Sequence, residues 1–140
     1  MTTTPSETIA SAPEEIDLAF PLSARAPSRA RELCDRIVEW GALTKERAGD
    51  LRLLVSELVT NSVRHAGEGT IRIRALLADD RVRVEVHDDG PGVRQRRPGA
   101  SVLDGSGRGL RLVEQLADHW GTTADGDSCV WFELAASPRR

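Results

Sequence analysis

Three short stretches carry residues able to do chemistry. In Glu57-Leu58-Val59-Thr60-Asn61 a carboxylate and an amide stand four residues apart, with His65 a further four along. On a helix this spacing stacks them one turn apart on a shared side, so oxygen atoms of Glu57 and Asn61 point the same way. Such a pair can hold Mg²⁺, which takes oxygen ligands, and can steer a proton. By itself the pair equally describes a solvated helix flank. In Asp88-Asp89-Gly90-Pro91-Gly92 a carboxylate immediately precedes a turn whose glycines let a flat ligand approach the backbone. An adenine ring fits there, its amino group donating to Asp88, although a plain strand-ending turn has the same composition. Gly105-Ser106-Gly107-Arg108-Gly109-Leu110 opens a helix, so its amides and the helix N-terminus can receive phosphate. It is not a P-loop, lacking Gly-Lys-Ser/Thr, and it is a poor dinucleotide fingerprint because no strand pattern precedes it.

The elements that must position these residues follow from periodicity. Leu51, Leu54, Val55, Leu58, Val59 and Ser62 repeat at helical spacing and predict a core-facing stripe, with Glu57 and Asn61 at its edge. That helix opens at Thr44 and stops near Ala66, before Gly67 and Gly69. An earlier helix is expected from a Ser28 cap to Trp40, with Gly41 ending it. Glu15 to Phe20 alternates as a half-buried strand closed by Pro21. Two further strands alternate Ile71, Ile73, Ala75 and Leu77 with arginines, then Val82, Val84 and Val86 with Arg83, Glu85 and His87, joined by a tight turn at Asp79-Asp80. Parity puts Asp88 on the same face as the three valines, where a carboxylate needs a partner. Helical spacing returns from Gly109 to Ala117, and Val130, Phe132 and Leu134 share one face of a last strand, after Trp120-Gly121-Thr122-Thr123 and a turn over Asp125-Gly126-Asp127. From Gly90 to Gly107 there are five glycines, two prolines and three arginines and no period, which predicts a mobile loop.

Composition narrows the class. At 140 residues one domain is expected, and 39% hydrophobic with 29% charged residues describes a globular chain rather than a disordered or membranous one. The apolar runs are too short for a membrane span and the first residues lack the charge and apolar block of a signal peptide, so a cytoplasmic location is expected. A net charge of −3 argues against a general nucleic-acid binder despite the cluster Arg94, Arg96 and Arg97, which reads as lid surface or partner contact. Cys34 and Cys129 match neither a disulfide framework nor a metal site and are expected in the core. Residues 1–13 read as a flexible tail, 14–135 as one domain and 136–140 as a short C-terminal tail.

Glu-x-x-x-Asn on a helix, Asp-x-Gly-x-Gly after a strand and Gly-x-Gly-x-Gly-Leu at a helix start, in this order, resemble the nucleotide-binding signatures of the GHKL (Bergerat-fold) ATPase superfamily. Within it, Glu57-Leu-Val-Thr-Asn61-Ser-Val-Arg-His65-Ala, Gly107-Arg-Gly109-Leu-Arg-Leu-Val113 and Val130-Trp-Phe-Glu-Leu134 are similar to the anti-sigma factor serine/threonine kinases of the RsbW and SpoIIAB type. The likeness covers about residues 16–135. It implies a two-layer α/β sandwich, with a mixed, mostly antiparallel sheet, helices on one face and a mobile ATP lid. It also implies ATP and Mg²⁺ as cofactors, Asn61 for the Mg²⁺, Asp88 for adenine, Gly90 and Gly92 for the adenine-side turn, and Gly105, Gly107 and Gly109 for lid and phosphates. Arg108 and Leu110 belong to the same glycine motif. Glu57 is the telling residue, because the serine kinases carry a general base where histidine kinases place another residue. The chain departs from the family at Cys129, where a Thr commonly precedes Val-Trp-Phe, so a hydroxyl is expected to be missing beside the adenine.

The activity implied is ATP-dependent phosphorylation of an anti-sigma antagonist of the STAS type, coupled to sigma-factor binding, with a homodimer as one arrangement. The rival is a non-catalytic ATP-binding regulator whose grip on a partner depends on nucleotide state. A histidine-kinase catalytic piece is disfavoured, because no dimerisation helix with a phosphoacceptor His is expected ahead of the domain.

Overall fold

The computed structural model describes residues 14–66, 69–88, 108–123 and 128–136. The tail expected over 1–13, residues 137–140 and the lid segment fall outside this range, and with the lid go Gly90, Gly92, Arg94, Arg96, Arg97, Gly105 and Gly107. Five strands and three helices occupy the described residues: β1 (Glu14–Pro21), α1 (Ala26–Val38), α2 (Lys45–Ala66), β2 (Thr70–Ala78), β3 (Arg81–Asp88), α3 (Arg108–Leu116), β4 (His119–Thr123) and β5 (Ser128–Ala135).

The strands form one open sheet in the order β1-β2-β3-β5-β4. Each described pairing is antiparallel. β2 and β3 are joined through Asp79 and Asp80 at φ 55° and 63°, the left-handed pair that a two-residue hairpin matching the sheet twist requires. Aspartate tolerates that region better than most side chains.

One face of the sheet is apolar. Ile71, Ile73, Ala75, Val82, Val84, Val86, Val130, Phe132 and Leu134 are all buried there in one cluster with Leu33, Ile37, Leu51, Leu54 and Leu58 from α1 and α2. α2 packs on β3 and β5, and α1 on α2 and β1, which makes two layers. The opposite parity is charged: Arg72 donates to both carboxylate oxygens of Asp17 at 2.8 and 2.6 Å, and Arg83 bridges Glu85 and Glu133. A one-sided pattern of this kind marks a sheet with a single covered face.

Helix ends depart from the sequence pattern in one place. α1 begins at Ala26 with Pro27 in its first turn, not at a Ser28 cap, and ends at Val38, two residues before Trp40. The fixed φ of Pro27 suits a helix start, and Ser28 is left to accept a bond from Arg31. Gly41 at φ 77° turns the chain after it. Thr44 does cap α2, its Oγ1 accepting the Arg47 backbone N–H at 3.2 Å.

Candidate nucleotide-binding site

The site is built on the side of α2. Leu51, Leu54, Leu58, Val59 and Ser62 are wholly buried, and the Ser62 hydroxyl donates to the Leu58 carbonyl at 3.2 Å, so it brings no unpaired polar group into the core. Four residues overshoot one helical turn by about 40°. Leu53, Glu57 and Asn61 therefore walk from solvent to core: Leu53 is 45% exposed, Glu57 is half-buried and Asn61 is 2% exposed. The amide is sunk in the protein and the carboxylate stands one turn nearer the surface. Periodicity had placed both at the edge of the buried stripe, and packing separates them in depth.

Asp88 closes β3 and is completely buried. The alternation of β3 carries it to the helix-covered face, as parity required, and the register sets Ile71 of β2 on one side of it and Ser128 of β5 on the other.

Alternation sets Cys129 apart from Asp88. Cys129 pairs with His87, its Sγ lies 3.6 Å from His87 Nε2, and both sit at the parity of the charged face rather than that of Asp88 and Val130. Cys129 is buried there, outside the main cluster, whereas Cys34 is a true core residue whose thiol is pushed up to about 12 by burial.

Arg108, Gly109 and Leu110 make the first turn of α3. Their side chains, like that of His65 in the last turn of α2, lie outside the described residues. Val113 anchors α3 in the core, and α3 packs on α2. α2 thus touches both the strand that ends in Asp88 and the helix that the glycine motif opens. Among the described residues no group of three or more His, Cys, Asp or Glu side chains can hold a metal ion, and no helix is long and apolar enough to cross a membrane.

An antiparallel sheet covered on one face, with a buried amide on the covering helix and a buried carboxylate ending a central strand, defines a class before any comparison. The Histidine kinase-like ATPase domain profile matches residues 22–134. The sensor histidine kinase PdtaS of Mycobacterium tuberculosis is 34% identical over 109 residues, which cover 74% of this chain and 21% of that kinase. The serine-protein kinase RsbW of Listeria monocytogenes is 30% identical over 120 residues, covering 75% of this chain and 76% of RsbW. The anti-sigma F factor of Caldanaerobacter subterraneus is 43% identical over a shorter stretch of 53 residues, 36% of this chain and 37% of that protein. The chain belongs to the histidine kinase-like ATPase domain family and, within the GHKL superfamily, to the anti-sigma kinase family. It thus carries a kinase-type ATP-binding domain.

Proposed function

We propose that this chain is an ATP-dependent serine/threonine protein kinase and anti-sigma factor of the cytoplasm, which phosphorylates a STAS-type antagonist protein and binds a sigma factor. The observation that carries this reading is the graded depth of Glu57 and Asn61 on α2. A group that meets a small-molecule phosphate and its metal belongs deep in the fold. A base that must reach a hydroxyl on another protein has to stand nearer solvent. Relatives of comparable length that are named serine-protein kinase support the same reading.

In this proposal residues 14–135 form the catalytic domain. Asp88 accepts from the adenine amino group, beside the turn of Gly90 and Gly92. Gly105, Gly107, Arg108, Gly109 and Leu110 receive the phosphates, through backbone N–H groups and the Arg108 charge. Asn61 would hold the Mg²⁺ through its amide oxygen, a hard donor of the kind that the ion takes beside phosphates and water. When bound, Mg²⁺ would offset charge on the phosphates. Glu57 takes the proton of the serine hydroxyl as its oxygen bonds to the terminal phosphorus and the bond to ADP breaks.

Glu57→Gln keeps the shape and removes the base. It should retain Mg-ATP and partner binding yet lose phosphotransfer by on the order of a hundredfold or more. The assay is phosphate incorporation into an antagonist recovered by pull-down. Equal transfer by both proteins excludes Glu57 as the base. No transfer by the wild type onto a partner that it binds favours a nucleotide-gated binder without kinase activity.

A further inference from the structure

Arg47 is 3% exposed, an unusual place for a guanidinium outside the catalytic stretches. Every part of its fork is used. Nε donates to the Ala135 carbonyl at 3.3 Å, one terminal nitrogen donates to Asp50 and to the Leu116 carbonyl, both at 2.9 Å, and the other donates to Asp118 at 2.5 Å. Asp118 in turn accepts the Ala135 N–H at 2.7 Å, and the Thr44 N–H beside it donates to the Ala136 carbonyl at 3.0 Å. Four elements meet at this point: the start of α2, the last residue of α3, the entry to β4 and the end of β5.

A buried ion pair is weak evidence for stability, since well-packed apolar residues often serve as well. What a planar five-donor fork supplies is fixed direction. Of the elements it joins, α3 is only nine residues long and has Val113 as its fully buried side chain among those described. Arg47 holds the last carbonyl of that helix, and the glycine-rich motif enters at its other end. Asn61 and Glu57 lie on α2, the helix that bears Arg47.

We propose that Arg47 is a positioning residue for the phosphate end of the nucleotide site: by clamping the C-terminal end of α3 to the first turn of α2, it sets the start of α3 relative to Asn61. This rests on the assignment of those two elements to the phosphates. The adenine end, at Asp88 and the start of β5, lies at the opposite end of the β3–β5 ladder from Ala135, where the clamp holds β5. Loosening the clamp therefore weakens recognition of the triphosphate and spares recognition of the base.

The test is Arg47→Lys, which keeps the charge but not the fork. Affinity for Mg-ATP is measured by calorimetry, and for adenosine by NMR shift titration, which reads weak binding. ATP affinity should fall about tenfold or more, the scale on which small misplacements act, while adenosine affinity stays within about twofold. A purely structural role moves both affinities together or neither, and either result overturns the proposal. Should Arg47→Lys fail to fold, Asp118→Asn loosens the same clamp with Arg47 in place and is read in the same way; unfolding of both variants assigns the cluster to stability and overturns the proposal. Failure of the site assignment itself looks different, because Asn61→Ala would then leave Mg-ATP affinity unchanged.

Discussion

Asp88 carries the sharpest consequence of a single atom. It is fully buried at the end of β3, and under the proposed function its carboxylate presents only acceptors to the adenine amino group, where an amide can present a donor. Asp88→Asn should leave the circular dichroism spectrum unchanged and lower adenine-nucleotide affinity by at least about a hundredfold, since a buried mismatched donor pair is far costlier than a lost surface bond. Calorimetry with ATP on both proteins checks this. Equal affinities remove Asp88 from the site. Glu57 differs from it in kind: it is half-buried, and under the proposed function its replacement by Gln is expected to register in turnover and not in binding.

At the scale of elements, the β4–β5 edge is packed more tightly than its residue types suggest. Gly121 lies across from Trp131, and a methyl group built on Gly121 would come within 2.7 Å of the indole Nε1 and 2.8 Å of two ring carbons. The Arg83 guanidinium also lies over the ring, 4.1 Å from its centre. Gly121→Ala should destabilise the protein by about 1–3 kcal/mol through overpacking, read as a lower urea midpoint with an unchanged slope. In a Trp131→Leu background the same change should cost much less. A cost that is equal in both backgrounds would mean that the ring is not what the methyl group meets.

The whole molecule is a sheet with two unlike faces, and the charged one links stability to pH. The hydrogen bond from Arg72 holds the Asp17 carboxyl below the ordinary carboxylate range, against a smaller opposing effect of burial. For Glu85 burial pushes upward, but the bonds from Arg83 and His87 outweigh it and the net direction is also down. A carboxylate whose folded value is depressed stabilises the fold above its unfolded value, and that stability is lost as pH falls through the folded one. Thermal stability should therefore drop on acidification below about pH 4, and the Asp17→Asn, Glu85→Gln double variant should show a shallower drop. The effect is modest, because the Asp17 and Arg72 side chains are 34% and 54% exposed and solvent screens the pair. Identical acid profiles would remove these carboxylates as the origin of the acid loss.

Local pattern was enough to locate most elements and the residues singled out for chemistry. Alternation of Val82, Val84 and Val86 predicted that Asp88 would face inward, and it is buried. The helical stripe from Leu51 to Ser62 predicted the side of α2 on which Glu57 and Asn61 stand. Both are periodic properties of a few neighbouring residues, set by the geometry of strand and helix alone. Depth, register and clamping are different in origin. That Asn61 is buried while Glu57 is half-exposed depends on how α2 beds into the sheet and α3. That Cys129 pairs with His87 and not with Asp88 depends on the β3–β5 register. Arg47 does not stand out in the sequence, because three of its partners, Leu116, Asp118 and Ala135, lie 69, 71 and 88 residues away in the chain. Contacts at that separation leave no periodic trace in the sequence and exist only once the chain has closed on itself.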